Sequence, residues 1–214
     1  MAKPSGEASR YAHSGHHYTP GEMTAKERVV IEILDHARPR EVLDVGCNSG
    51  HFSALAARIG ARVVAIDRDP EAAGALWRMA AADDLDVLPL VIDIAWPPGA
   101  RGWANGESQA FLDRARGRFD CLLMLALIHH LLIAVRAPLD CIFELVSQLT
   151  RRDAIVEYVD PADAQFRTIA RGRDALHADL TPEAFERAAG RWFAIRGSWP
   201  ITPTRRIYWF QKGA

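Results

Sequence analysis

Long apolar runs are missing from this sequence: nothing approaches the roughly eighteen consecutive apolar residues of a membrane-spanning helix. The amino terminus also lacks a signal-peptide core, so a cytoplasmic protein with no membrane partner is expected. Cysteine is scarce. The three that occur, Cys47, Cys121 and Cys141, are odd in number, widely spaced and set in apolar or strand-like stretches, which reads as reduced thiols rather than a disulfide framework. Charge of one sign is lacking too: 26 Lys and Arg stand against 27 Asp and Glu, interspersed, for a net charge of -1. That balance argues against a nucleic acid as partner and for a small molecule. Nothing in the sequence fixes the oligomeric state.

With 214 residues, 49% hydrophobic and 25% charged, the chain has the make-up of one ordinary folded domain. Residues 1–20 are polar with little periodicity and read as a flexible arm ahead of a domain over residues 21–214. His13, His16 and His17 in that arm have no Cys or paired acid nearby, so a solvated tail is the reading and no metal is expected.

Residues 41–70 organise the domain. Val42, Leu43 and Val45 form a short apolar run that ends in a Gly-bracketed turn. Phe52, Leu55, Ala56 and Ile59 follow at helical spacing, and residues 63–66 give a second apolar run that stops at Asp67. This is a βαβ unit. Gly46 and Gly50 remove side chains that would hold the backbone away from a ligand, and the turn opens onto a helix amino end. Asp67, 23 positions after Asp44, is placed to accept hydrogen bonds from both hydroxyls of a ribose. The pattern is Asp-x-Gly-x-x-x-Gly, with Asn48 where the dinucleotide fingerprint has a middle glycine. An acid just ahead of the first glycine is awkward for a pyrophosphate but suits a cation, such as the amino group of a methionine moiety.

On these residues the sequence resembles the class I S-adenosylmethionine (SAM)-dependent methyltransferases. Asp44-Val45-Gly46-Cys47-Asn48-Ser49-Gly50 with Asp67 is similar to the first two motifs of that family, and the resemblance runs over residues 24–208. Val91-Ile92-Asp93-Ile94, Gly102-Trp103-Ala104-Asn105-Gly106-Glu107, Leu125-Ala126-Leu127-Ile128-His129-His130-Leu131 and Arg205-Arg206-Ile207-Tyr208 resemble a bacterial group of nodulation-protein-like methyltransferases. The resemblance implies an α/β fold: a seven-stranded, mostly parallel, doubly wound sheet with a C-terminal antiparallel hairpin. It implies SAM as cofactor, lying across the carboxyl ends of strands one to four. Asp44 would face the methionine amine, Gly46, Cys47, Asn48 and Gly50 the methionine backbone, and Asp67 the ribose. Arg68 and Leu125 are placed on the cofactor as well. Asp93 would accept from the adenine amine and Ile94 cover a ring face, with a plain turn or cap role for Asp93 left open. In related enzymes the segment before the first helix folds over the cofactor, which makes Tyr18 and Lys26 candidates for its carboxylate or for the acceptor.

Along the chain, Thr24 reads as an N-cap with Glu27 completing a capping box, and the helix it opens ends near Arg38-Pro39. Residues 71–81 read as a helix and 85–92 as the third strand. The connection over residues 95–107, with Trp96, Trp103 and paired prolines, reads as an ordered loop that flanks the adenine, walls the acceptor, or packs on its own Trp side chains. A helix over 108–116 follows. Residues 119–127 are almost continuously apolar, as a central strand buried on both faces is. A helix over 138–149 and a fifth strand over 153–160 come next. Residues 161–190, where Thr181-Pro182-Glu183 opens a helix, are expected over the acceptor. Strands near 192–196 and 205–210, joined through Gly197, Pro200 and Pro203 without a helix, imply an antiparallel pair.

Ligands in doubly wound sheets bind at carboxyl strand ends, so His129 and His130, just past the fourth strand, fall near the methyl to be transferred. A neutral imidazole there takes a proton from an attacking hydroxyl or amine. The two are adjacent and cannot point the same way: either one serves as base while the other caps or packs, or both are structural. Glu157, on the fifth strand, either orients a histidine, binds a polar acceptor or is solvated in a loop. The expected activity is SAM-dependent methyl transfer to an oxygen or nitrogen of a small-molecule acceptor. Neither an Asn/Asp-Pro-Pro-Tyr/Phe sequence nor a Pro-Cys nucleophile follows the fourth strand, which points away from methylation of adenine, glutamine or pyrimidine carbon. A protein or transfer-RNA acceptor and a SAM-binding partner subunit without turnover stand as alternatives.

Overall fold

A computed structural model describes residues 19–213. The arm that carries His13, His16, His17 and Tyr18 lies outside the described residues. The first helix, α1 (Pro20–Ala37), is capped by Thr19, five residues ahead of the Thr24 expected from sequence. Thr19 accepts from the Glu22 amide at 3.3 Å while the Glu22 carboxylate accepts from the Thr19 amide at 2.8 Å. Thr19-Pro20-Gly21-Glu22 satisfies the same capping box and adds a proline that needs no hydrogen bond at the first helical position. Thr24 is instead one turn inside, donating to the Pro20 carbonyl at 2.8 Å. The helix stops at Arg38, which turns left-handed.

Then strands and helices alternate: β1 (Glu41–Val45), α2 (His51–Arg58), β2 (Arg62–Asp67), α3 (Pro70–Ala82), β3 (Val87–Val91), α4 (Phe111–Ala115) and β4 (Phe119–Met124). A short helix α5 (Ile128–His130) runs into a π-turn over Leu131–Val135, followed by α6 (Leu139–Leu149), β5 (Thr150–Val159), α7 (Ala164–Ala170), α8 (Pro182–Ala189), β6 (Phe193–Thr202) and β7 (Arg205–Lys212). The seven strands form one sheet in the order β3-β2-β1-β4-β5-β7-β6. The first five are parallel, and β7 enters antiparallel between β5 and β6. The chain moves outward from β1 through β2 to β3, then returns to place β4 on the other side of β1. That reversal opens a crevice at the carboxyl ends of β1 and β4.

Both faces of the sheet are covered. On one, Phe143 of α6 and Phe185 of α8 meet edge to face at 5.0 Å over Tyr208 and Phe210 of β7. On the other, Val30, Ile33 and Leu34 of α1 pack with Leu76 of α3 against Val42, Val63 and Leu123. All of these side chains are buried, and each stabilises the fold by about 1.5–3 kcal/mol. A third, small cluster of Ile133, Val159, Phe166 and Ala170 seats α7 on the end of β5.

Several element ends differ from the sequence expectation. β4 stops at Met124, and residues 125–127 turn away through Ala126 at φ 54. Helix α4 is limited to Phe111–Ala115 because Ser108 is taken by a backbone bridge with Arg101. The 95–107 loop is not packed by its own tryptophans: Trp96 and Trp103 are 78% and 87% exposed, and the loop is closed by backbone bonds such as Glu107 N–H to Arg101 O at 3.1 Å. Gly197 and Pro200 lie inside β6, not in the hairpin turn. The outermost strand has no further neighbour to demand the missing proline N–H, and Gly197 sits where the register slips.

Candidate active site

The crevice is built by the turn between β1 and α2. Gly46, Asn48 and Gly50 all have positive φ, at 75, 49 and 84°, and the Gly46 and Cys47 amides bind the Ile66 carbonyl of β2 at 2.8 and 3.1 Å. At two of these positions an added side chain would meet a leucine. A Cβ on Gly50 would stand 2.1 Å from Leu76 Cδ1, and one on Gly46 would press Leu127 at 3.1 Å. Cys47 is buried, and burial pushes its thiol well above the ordinary range.

Three of the expected acids and their neighbours gather along this edge. Asp67, half-buried at the end of β2, accepts from the Asn48 amide at 2.8 Å through one oxygen and from the Asp69 amide at 2.9 Å through the other. Each oxygen keeps lone-pair capacity for a further donor. Asp44 is 3% exposed and accepts from the Ser53 hydroxyl at 2.6 Å. Burial pushes its carboxyl up to about 6, against the pull of Ser53 and, more weakly, of Lys26. A carboxylate desolvated in this way gains from an incoming cation, which is what a methionine ammonium offers. Asp93 accepts from the Ala95 amide at 2.9 Å, so its turn role is real, and Ile94 beside it is buried. Leu125 is buried at the end of β4, whereas Arg68 is exposed. The donors and apolar surfaces present fit SAM.

Behind the crevice lies a buried ionic network that the sequence reading did not assemble. Lys26 of α1, 3% exposed, places its Nζ 2.6 Å from Glu157 Oε2 on β5. Arg205 of β7 approaches the other Glu157 oxygen at 3.7 Å and forks onto Asp163 with two contacts of 2.8 Å. Asp163 in turn caps α7 by accepting from the Gln165 amide at 2.9 Å. Burial raises Glu157 and lowers Lys26, and the Arg205 guanidinium favours the carboxylate while opposing the ammonium. The solvated-loop reading of Glu157 is therefore wrong: the residue is 0% exposed inside a strand buried over seven consecutive positions. A signal was there to find it. A charge within the apolar run of β5 must be paired, and Lys26 shares the helical face of Val30 and Ile33.

The two histidines separate into an inner and an outer ring. His129 is 1% exposed and stacks on Phe166 of α7 at 6.4 Å, while His130 is half-buried with its ring 4.4 Å from that of His129. Asp160, the other acid at the end of β5, accepts from the Tyr158 hydroxyl at 3.0 Å and the Ala162 amide at 2.8 Å, holding the turn into α7. Among the described residues no group of three or more His, Cys, Asp or Glu could hold a metal ion. No described helix is long and apolar enough to cross a membrane.

A model of a methyltransferase domain matches residues 16–196. The chain belongs to the methyltransferase family. Its sheet order and terminal hairpin are those of the class I SAM-dependent methyltransferase fold, and membership in the family supports SAM as its cofactor. This methyltransferase is 32% identical over 197 residues to the nodulation protein NoeA of Rhizobium meliloti strain 1021, a match that takes in 91% of the chain and 41% of the relative. The chain thus spans less than half the length of that curated relative. Among solved structures it superposes on the N-methyltransferase NodS of Bradyrhizobium japonicum WM9 with a TM-score of 0.66 at 13% identity, over 91% of this chain and 98% of that one. It superposes on the SAM-bound magnesium protoporphyrin IX methyltransferase ChlM of Synechocystis PCC 6803 with a TM-score of 0.59 at 16% identity, over 97% and 90%. At these identities the likeness speaks for the fold.

Proposed function

We propose that this methyltransferase moves the methyl group of SAM to an oxygen or nitrogen of a small-molecule acceptor, with His130 as the base. The observation that carries the reading is the pairing at one sheet edge of a cation-seeking Asp44 and a ribose-ready Asp67 with a half-buried imidazole past β4. SAM supplies an already activated methyl, so the chain's own task is placement. Asp44 and the Gly46 turn hold the methionine end, Asp67 the ribose, and Asp93 with Ile94 the adenine. His130 takes the acceptor's proton, and His129, shielded under Phe166, packs behind it. Two fold neighbours are named for small-molecule or N-directed transfer, which agrees with this class of acceptor.

The test is calorimetric titration with SAM, S-adenosylhomocysteine and NAD, followed by a labelled-methyl screen over metabolite pools. Micromolar binding of the first two and none of NAD is expected. In the screen, His130→Ala should lower transfer about 100- to 10,000-fold while leaving the affinity for S-adenosylhomocysteine unchanged. Absence of SAM binding would remove the reading, and full transfer by His130→Ala would remove the base.

A further inference from the structure

Glu157 is a charged side chain at the centre of four elements. Its carboxylate meets Lys26 of α1 at 2.6 Å and Arg205 of β7 at 3.7 Å, and the backbone amide of Ala126, two residues past the Met124–Val156 pair of β4 and β5, faces it. Through Arg205 it is joined to Asp163, whose carboxylate caps α7 and also accepts from the Thr204 hydroxyl at 2.8 Å. Ala126 matters most here. It is the left-handed residue, φ 54, at which the chain leaves β4, and four positions later comes His130. An alanine at positive φ is strained and persists only where its surroundings hold it. A buried carboxylate facing its N–H is such a hold, and a charged acceptor is the stronger kind. The same carboxylate anchors α1 through Lys26, whose Nζ also lies 5.1 Å above the Phe52 ring of α2, beside the cofactor turn.

We infer that Glu157 is a positioning residue: one buried carboxylate holds the Ala126 turn that presents His130 and, through Lys26, docks α1 beside the cofactor turn. The inference rests on the reading of His130 as the base. Its two arms are separable. Lys26→Met removes the α1 arm and leaves the Ala126 arm. Glu157→Gln keeps an oxygen for the Ala126 amide, whereas Glu157→Ala removes it.

The test combines amide hydrogen exchange with the imidazole NMR signals of His130 in the full chain. For Lys26→Met, exchange over residues 20–37 should rise on the order of tenfold while Ala126 exchange and the His130 signals stay put. For Glu157→Ala, both segments should lose protection and the His130 signals should move. Glu157→Gln should restore the His130 signals to the wild-type position, a rescue that mere loss of packing would not show. Should Glu157→Ala fail to fold, the charge-matched Lys26→Met/Glu157→Leu double variant retains the Arg205–Asp163 pair and takes its place. Unchanged His130 signals and Ala126 exchange in Glu157→Ala, or in the double variant that replaces it, would overturn the inference, as would equal displacement by Lys26→Met alone. Wild-type binding of S-adenosylhomocysteine, measured alongside, reports separately on the methyltransferase reading.

Discussion

Replacing Asp67 with alanine is the sharpest probe of how the crevice holds its cofactor. The carboxylate offers about four lone-pair sites. Two are used within the chain, by the Asn48 amide at 2.8 Å and the Asp69 amide at 2.9 Å, leaving two for the ribose hydroxyls. Hydrogen bonds to a charged acceptor contribute about 1.5–3 kcal/mol net, and the half-buried setting of Asp67 argues for that sum over both hydroxyls rather than for each. Asp67→Ala should therefore weaken S-adenosylhomocysteine binding by about 10- to 150-fold in calorimetry. Stability should fall by no more than about 1 kcal/mol, because Asn48 is exposed and water replaces the lost acceptor. The 2′-deoxy analogue supplies the cross-check: the penalty of the substitution should shrink when one ribose hydroxyl is already gone. Affinity within about threefold of wild type, with the fold intact, would refute the placement of the ribose.

Gly50→Ala tests the turn itself. A non-glycine residue at φ 84 costs about 1–2 kcal/mol, and forcing Leu76 away from a Cβ 2.1 Å distant costs about 1–3 more, so urea unfolding should show a loss of about 2–5 kcal/mol. A loss under about 1 kcal/mol would mean that the turn relaxes freely. Acid should weaken the β7–α7 junction. Burial raises the Asp163 carboxyl, but the Arg205 fork, the Thr204 hydroxyl and the Gln165 amide more than offset it and hold it at about 2, below its usual 3.8. A depressed carboxylate stabilises the fold above the unfolded value and loses that contribution as pH falls towards the folded one. About 2 kcal/mol should thus disappear between about pH 4 and pH 2. Asp163→Asn should flatten that part of the stability profile, and an unchanged slope would refute the assignment.

Much of the crevice was legible from local chemistry. Val42, Leu43 and Val45 followed by two glycines could only be a strand ending in a tight turn, and an acid at the end of the next strand had to emerge beside it. Asp44, Gly46, Gly50, Asp67 and Asp93 fell along one edge for that reason. The Thr24 cap was misplaced because Thr19-Pro20-Gly21-Glu22 offers the same box and local pattern alone does not rank them. The reading of the 95–107 loop stayed open because tryptophan content says nothing about which way the rings face, and only its Trp-packed alternative falls, since Trp96 and Trp103 face solvent.

By itself, the sequence determined the order of strands and helices, the parallel βαβ core, the antiparallel ending and which residues line the crevice edge. These are matters of spacing and steric permission within about thirty residues. Only the tertiary structure decided the charges. Lys26 and Glu157 are separated by 131 positions and Asp163 and Arg205 by 42, and each becomes interpretable only when burial removes water and forces it to find its opposite. It also set the two histidines apart in burial. Adjacent residues look alike in a sequence, but α7 arrives from far along the chain to cover His129 with Phe166 and leaves His130 half-buried.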